Sequence, residues 1–308
     1  MIDSLLIPLD GSDFGEFVLP FAKAIAKGTR ASVHLTHVHQ PHTPDELLAL
    51  TQYQFEGVNM AEYDWEDRTE EKAYLERVAS ELGAGLESGV STEVLTGEIT
   101  GAIEGYAKET GTDLLVMATH GRTGLSRTWL GSQADNLVRH TTLPILLVRP
   151  CDDAAESPPE ARFHHLLVPL DGSHRGEAIL DPAVQMAKVF GARMTLLQVV
   201  ASHVAVGARV FPVLTGHLND KVEMGEKYLT GIADGLKKEG IPVHARVVKH
   251  AVPARAILRT AKEVGSDLIA MATHGYGGLA RVVMGSVADK VLRGSNCPIL
   301  LERPLLEG

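Results

Sequence analysis

Short apolar runs alternate with longer amphipathic stretches along the whole chain. In the first half, runs rich in Val, Ile and Leu predict five strands, near residues 4–9, 32–39, 90–95, 113–118 and 144–149. Helices are predicted between them, near residues 13–28, 68–82, 98–110 and 130–140. Strands that are apolar throughout and separated by helices indicate a parallel sheet buried on both faces. The pattern therefore predicts an α/β fold.

The same pattern returns in the second half, where strands are predicted near residues 165–170, 194–200, 243–248, 267–272 and 298–302. The runs Leu5–Ser12 and Leu143–Pro150 reappear as Leu166–Ser173 and Cys297–Pro304. Between the halves lies a polar, acidic segment that ends in a Pro pair, which is typical of a linker. We therefore predict a domain over residues 1–150, a linker over 151–161 and a second domain over 162–308.

One segment breaks the symmetry between the halves. The stretch from Gln40 to Arg68 is longer and more polar than its counterpart near residues 201–220. Long loops in compact domains are usually functional or disordered. We expect a partly helical flap over one site.

Composition and charge exclude several classes of protein. The 308 residues are 44% apolar with a formal charge of −10, and no Lys or Arg run is dense enough to indicate a nucleic acid or membrane-surface binder. The sequence has no apolar run of transmembrane length and no pattern typical of a signal peptide. Its two cysteines, Cys151 and Cys297, form no disulfide framework. We expect a cytoplasmic protein.

A glycine-bearing loop follows the fourth predicted strand of each half. The first copy reads Met117–Gly121, nine residues, then Gly131–Ser132; the second reads Met271–Gly275, nine residues, then Gly285–Ser286. A strand, a glycine loop and a helix start make a place where backbone N–H groups point at an anion. The pattern predicts a phosphate cradle in each half, and the alternative is an N–H nest that has no physiological ligand.

Asp10 and Asp171 each end the first strand of their half, and Gly-Ser follows both. In open parallel sheets, ligands bind outside the carboxyl ends of the strands, where an aspartate can accept hydrogen bonds from a ribose hydroxyl or a base amine. The alternative is that each aspartate caps the next helix through turn chemistry. The glycine loop in both halves favours the ligand site.

Histidines near these motifs give no catalytic or metal assignment. Thr119–His120 and Thr273–His274 are neighbours, and neighbours on an extended segment point to opposite sides, so we expect no nucleophile–base pair. Four more lie on or after the second strand: His34, His37, His39 and His42. His37 and His39 share a face, but no Cys or carboxylate completes a zinc spacing. Val38 and Val199 are interpreted as apolar contacts for a base.

These motifs together resemble the universal stress protein family, in its tandem two-domain form. Its nucleotide-binding members carry Gly-x2-Gly-x9-Gly-Ser/Thr after the fourth strand and an aspartate after the first. The matching positions are Gly121, Gly131, Ser132 and Asp10 in the first half, and Gly275, Gly285, Ser286 and Asp171 in the second. The leading glycine is replaced by Ala118 and Ala272. Alanine keeps the N–H, so binding survives unless this position needs a positive φ or a tight approach.

The resemblance implies two Rossmann-like domains of the adenine nucleotide alpha hydrolase-like kind. Each would hold a five-stranded parallel sheet of order 3-2-1-4-5, flanked by helices. The last strands of the halves would pair antiparallel as an intramolecular pseudo-dimer, and two chains can associate further. The implied ligand is ATP, with AMP or ADP as alternatives and Mg²⁺ as a companion. The implied nucleotide-binding residues are Asp10, Val38, Ala118, Thr119, Gly121, Arg122, Gly124, Gly131, Ser132, Asp171, Val199, Ala272, Thr273, Gly275, Gly278, Gly285 and Ser286.

Three functions follow from these features. The favoured one is an ATP-binding regulator of the stress response, in which the nucleotide shifts conformation or partner choice. Hydrolysis should be slow at most, because we find no Walker lysine, no metal-binding carboxylate pair and no general base. The second is an interaction module that has lost nucleotide binding through Ala118 and Ala272. The third is a nucleotidyl transferase or hydrolase on the same fold.

Overall fold

The computed structural model describes residues 1–41, 60–119, 131–149, 161–206, 209–212, 215–274 and 284–304. The elements of the first half are β1 (Ser4–Pro8), α1 (Asp13–Glu16), α2 (Leu19–Thr29), β2 (Ser32–His39), α3 (Met60–Gly83), β3 (Val90–Thr96), α4 (Ile99–Glu109), β4 (Leu114–Ala118), α5 (Ser132–His140) and β5 (Ile145–Val148).

The second half repeats this order and adds a hairpin. Its elements are β6 (His165–Pro169), α6 (His174–Glu177), α7 (Leu180–Phe190), β7 (Arg193–Ala201), β8 (His203–Val206), β9 (Arg209–Pro212), α8 (Thr215–Lys238), β10 (Val243–His250), α9 (Pro253–Val264), β11 (Leu268–Ala272), α10 (Ser286–Gly294) and β12 (Ile299–Glu302). The β8–β9 hairpin was not predicted, because it forms a separate two-stranded sheet outside the repeated pattern.

Two predicted helices differ in the structure. The helix expected over residues 13–28 is divided into α1 and α2, since Pro20 near the start of α2 lacks an N–H and prevents a continuous helix. The helix expected from residue 68 begins at Met60, inside the predicted flap. Residues 42–59 of that flap, and residues 151–160 of the predicted linker, lie outside the described residues.

Ten strands form one sheet, in the order β10-β7-β6-β11-β12-β5-β4-β1-β2-β3. The predicted order 3-2-1-4-5 is therefore present in each half, and the strands within a half are parallel. The halves meet through β5 and β12, which pair antiparallel with Leu146 opposite Leu300. This pairing covers two strand edges that would otherwise be exposed.

The sheet is buried on both faces, as the apolar strands predicted. Along β1, Leu5 and Ile7 join one apolar cluster and Leu6 joins the other. Helices α2, α3, α7 and α8 contribute to the first cluster, and α4, α5, α9 and α10 contribute to the second. Helices on both sides cover the central strands, which are apolar at successive positions, whereas the edge strands β3 and β10 are only partly buried. Among the described helices, none is both long and apolar enough to cross a membrane.

An aromatic cluster joins the two halves on one face of the sheet. Phe163 is buried just before β6, with its ring centroid 5.5 Å from that of Phe21 and 5.0 Å from that of Phe190. Gly28 of α2 also lies close to Val189 of α7, where a side chain at position 28 would overlap. Phe163 thus packs between α2 of the first half and α7 of the second.

A group of four charges joins the halves on the other face. Arg139 and Asp135 of α5 form an ion pair at 2.7 Å, and Arg293 and Asp289 of α10 form one at 3.0 Å. The two pairs interlock, with Arg139 3.8 Å from Asp289 and Arg293 3.6 Å from Asp135. Because these side chains are partly exposed, they orient the two helices more than they stabilise the fold.

One acidic side chain stands at the end of β12, where the first half has an apolar residue. Glu302 pairs with Ala272 at the end of β12, where the first half has the buried Val148 paired with Ala118. Oε2 of Glu302 is buried and has no hydrogen-bond partner among the described residues. Burial, together with nearby Asp181, raises the pKa of the Glu302 carboxyl to about 7.

This raised pKa predicts a pH-dependent stability. The folded state favours the protonated carboxyl, so the contribution of Glu302 is fully present below its ordinary pKa of 4.5 and is lost as the pH rises to about 7. Relative to Glu302→Val, the free energy of unfolding of the unmodified protein should fall by about 1–3 kcal/mol over that range. Urea unfolding at several pH values measures this difference. Glu302→Gln is the control that keeps a polar side chain but has no ionisable carboxyl. Parallel pH profiles of the free energy of unfolding for all three proteins would contradict the prediction.

Candidate functional site

A cavity of about 810 Å³ opens at the carboxyl ends of β1, β2 and β4. Six residues of the predicted first-half set line it: Asp10, Val38, Ala118, Thr119, Gly131 and Ser132. Three others, Gly121, Arg122 and Gly124, lie outside the described residues. The structure thus brings together residues from the beginning, middle and end of the first half.

Asp10 is held by a turn at the end of β1. Its Oδ1 accepts hydrogen bonds from the backbone N–H of Ser12 at 3.1 Å and from the Ser12 hydroxyl at 2.6 Å. The same hydroxyl oxygen accepts from the N–H of Gly15 at 3.1 Å and so caps α1. Asp171 and Ser173 repeat this arrangement in the second half. The turn chemistry considered as an alternative role for the aspartates is therefore present, and it fixes their orientation at the strand ends.

Gly15 and Gly176 are required by this turn, and the sequence reasoning did not identify them. A Cβ at Gly15 would lie 2.6 Å from Oδ1 of Asp10, and one at Gly176 would lie 2.5 Å from Oδ1 of Asp171. The available signal was the repeated pattern Asp-Gly-Ser-x-x-Gly, whose last glycine we did not interpret.

The N-terminus of α5 forms the electropositive end of the cavity. Gly131 is its N-cap residue and supplies no side-chain cap, while its own N–H donates to the carbonyl oxygen of Thr119 at 2.7 Å. The first N–H groups of a helix have no intrahelical acceptor and carry the positive end of the helix dipole. Ser132, Gln133 and Ala134 of this first turn all line the cavity. This end is suited to an anionic group.

Two histidines and a carboxylate meet beside the cavity. Nδ1 of His37 lies 2.8 Å from the carbonyl oxygen of Leu9, which can only accept, so Nδ1 carries a proton. Nε2 of His37 lies 3.3 Å from Oε1 of Glu71, and Nδ1 of His39 lies 3.0 Å from its Oε2. All three side chains are mostly buried, with side-chain exposures of 10%, 19% and 3% for His37, Glu71 and His39.

Glu71 was missed because it lies on α3, far from the histidines in sequence. The other two histidines of the sequence cluster do not join this group: His34 contacts the Ser91 hydroxyl at 2.7 Å, and His42 lies outside the described residues. Burial lowers the pKa of the His34 imidazole. Within the described ranges, no group of three His, Cys, Asp or Glu side chains has the geometry of a metal site.

The second half places its predicted residues at equivalent points of the fold. Asp171 follows β6, Val199 lies in β7, Ala272 ends β11, and Gly285 and Ser286 begin α10. Gly275 and Gly278 lie outside the described residues.

Gly285 is required by a close backbone approach. A Cβ there would lie 2.8 Å from the carbonyl oxygen of Thr273, which accepts the N–H of Gly285 at 2.9 Å. The backbone at the base of this loop is thus closed by one short hydrogen bond, as it is at Gly131.

One sequence expectation about this loop is wrong. Thr273 and His274 were expected to point to opposite sides, yet Oγ1 of Thr273 lies 3.1 Å from Nδ1 of His274. The reason is that β11 ends at Ala272, so the alternation of an extended strand no longer applies. The first-half counterpart of this histidine, His120, lies outside the described residues.

Substitution of Gly15 tests the Asp10 turn. Gly15→Ala should lower the free energy of unfolding by about 1–3 kcal/mol, because the new methyl group displaces Asp10 or shifts α1. Thermal denaturation measures the change. The control is Gly105→Ala in α4, where a Cβ meets no atom within 4 Å and alanine should stabilise the helix by about 0.5–1 kcal/mol. Equal effects of both substitutions would contradict the proposed role of Gly15.

Comparisons with known proteins agree on one family. The family model described as "Universal stress protein family" matches residues 1–149 and 162–303. Universal stress protein YxiE of Bacillus subtilis is 32% identical over 155 residues, which are 46% of this chain and 99% of that protein. A universal stress protein of Mycolicibacterium smegmatis is 28% identical over 193 residues, which are 62% of each chain.

Solved structures show the same fold over nearly the whole chain. The crystal structure of a universal stress protein from Archaeoglobus fulgidus superposes with a TM-score of 0.67 at 19% identity, covering 98% of this chain and 96% of that one. A structure from Pseudomonas aeruginosa, described as a putative universal stress protein, gives a TM-score of 0.65 at 16% identity, covering 98% and 94%. At these identities the likeness supports the fold alone.

Proposed function

The chain belongs to the universal stress protein family, and we propose that it binds adenine nucleotides, ATP foremost, and acts in stress signalling through nucleotide-dependent conformation or partner choice. The observation that carries this proposal is the first-half cavity, where an uncapped helix N-terminus and a fixed aspartate, Asp10, face one space. In this arrangement the first turn of α5 would take the phosphates, while Asp10 and Val38 would contact the ribose and the base.

The cavity volume supports a ligand of this size. A volume of about 810 Å³ lies within the roughly 300–1,000 Å³ typical of small-molecule sites. Mg²⁺ would enter with the phosphates as part of the ligand. We further propose a cytoplasmic location, two sites per chain and the division into domains 1–150 and 162–308.

The alanines that replace the first glycine of the motif are compatible with binding. Ala118 and Ala272 are the last residues of β4 and β11, and neither has a positive φ. A strand residue with ordinary dihedral angles keeps its N–H when glycine is replaced by alanine. The cost is one methyl group at the cavity wall, which supports retained binding over a purely structural module.

Proline at the first position of α5 and α10 tests the phosphate end. Ser132→Pro and Ser286→Pro each remove one N–H, at a helix position where proline is favoured. The preceding glycines have ψ angles of 151° and 142°, which suit a residue before proline. Each substitution should weaken ATP binding at its own site by about tenfold to a hundredfold, as expected for one hydrogen bond to a charged group. Isothermal titration calorimetry with ATP and Mg²⁺ measures the affinity and the number of sites.

The matched controls are Ser132→Ala and Ser286→Ala, which keep the N–H and remove only the hydroxyl. They should bind ATP more tightly than the proline variants do. Saturable binding of about two nucleotides per chain, reduced in the double proline variant, would support the proposal. No binding by the unmodified protein at millimolar ATP would overturn it in favour of the interaction module.

A further inference from the structure

The helix that lines the cavity beside β2 differs between the two halves. On α3, Asp67, Glu70, Glu71 and Tyr74 recur at helical spacing and line the cavity. Leu75 of α3 and Leu229 of α8 are both fully buried and follow Tyr74 and Tyr228, so they align the two helices. The corresponding residues of α8 are Lys221, Met224, Gly225 and Tyr228. Three carboxylates in the first half therefore correspond to one ammonium group in the second.

The strand beneath this helix differs in the same way. The register of β2 on β1 and of β7 on β6 aligns His37 with Gln198 and His39 with Val200. The Gln198 amide lies against Gly225, in space that a side chain there would occupy. Its Oε1 is buried without a hydrogen-bond partner in the described part of the chain. The second half thus has Gln198, Val200 and Gly225 where the first has His37, His39 and Glu71.

The first-half arrangement makes one end of the cavity rich in hydrogen-bond acceptors. A carboxylate only accepts, through about four lone-pair positions, and the histidines hold Glu71 in one orientation. Asp67 and Glu70 on the same helix face add negative charge. A ligand group that approaches α3 must therefore donate hydrogen bonds, and a carbonyl oxygen there would face carboxylate oxygens. The electropositive end at α5 favours an anionic group at the other end of the same ligand.

We propose that the first-half site selects nucleotides whose base carries an exocyclic amine over those whose base carries a carbonyl group, with Glu71 as the specificity-determining residue. The second half lacks these acceptors and binds without this selection, so the two sites are not equivalent. The proposal rests on the proposed function, because it assigns a base preference to the same nucleotide site.

The tryptophans of the chain offer a probe of the first half. Its two tryptophans are Trp65 and Trp129, and both belong to the first half. Trp65 lies on α3 two residues before Asp67, and Trp129 precedes Gly131 within the glycine loop of the sequence. A change in tryptophan fluorescence on ligand binding can therefore be assigned to the first half, while calorimetry counts both sites.

The test is a fluorescence titration of the full chain with ATP and with ITP, which replaces the amine of adenine by a carbonyl oxygen. In the unmodified protein the fluorescence-detected affinity for ATP should exceed that for ITP by at least about tenfold, since polar sites reject analogues that leave their groups unpaired. Glu71→Gln, which can also donate, should reduce this ratio severalfold. The triple variant His37→Gln/His39→Val/Glu71→Gly installs the second-half residues and should bring the ratio close to one.

The matched control is Glu76→Gln, which removes one negative charge from α3 at an exposed position paired with Lys72 and outside the cavity lining. It should leave the ratio of ATP to ITP affinity unchanged. Equal affinities of the unmodified protein for ATP and ITP would overturn the inference and leave the proposed function intact. So would an unchanged ratio in Glu71→Gln, or an equal loss of preference in Glu76→Gln. If neither nucleotide binds by fluorescence or calorimetry, the proposed function itself fails.

Discussion

The central position of β1 in the first half, and of β6 in the second, determines where a ligand site can form. β1 is hydrogen-bonded to β2 on one side and to β4 on the other, so the chain leaves the sheet in opposite directions from neighbouring strands. Crossovers that diverge in this way leave a crevice at the carboxyl ends of the strands. Asp10 follows β1 at this point, and the N–H of Gly131 at the start of α5 donates to the carbonyl oxygen of Thr119 just after β4. The other features of the site depend on this strand order.

The antiparallel contact between β5 and β12 determines where the two proposed sites lie relative to each other. Strands within a half are parallel to one another, and the strands of one half run antiparallel to those of the other. The carboxyl ends of the strands therefore point in opposite directions in the two halves. The proposed sites are therefore separate, and the contact between α5 and α10 lies between them. Each helix begins at one site and carries, one or two turns later, the charges that pair across the seam, as Arg139 does with Asp289. These ion pairs join the two helices whose first turns form the anion ends of the proposed sites.

The sequence predicted the features that depend on local patterns. Apolar runs identified the ten strands of the sheet, and the glycine-serine motif identified the starts of α5 and α10, because each signal lies within a few residues. Features that depend on distant residues were missed. Glu71 meets His37 and His39 only because α3 packs over β2, and no spacing in the sequence indicates that contact. The hydrogen bond between Thr273 and His274 was missed for a different reason, since it required knowing where β11 ends.

The two halves share one end of the proposed site and differ at the other, and the chemistry of each end explains the difference. The anion end is made of backbone N–H groups, which any side chain supplies, but its geometry is strict: a Cβ at Gly285 would collide with the carbonyl oxygen of Thr273. Both halves therefore carry Gly-Ser there. The opposite end is made of side chains on a helix surface, where Glu71 and Gly225 are each compatible with a fully buried leucine four residues later. Under the proposed function, a duplicated domain can therefore differ in what it recognises at the side-chain end while its backbone end keeps the geometry for the same anionic group.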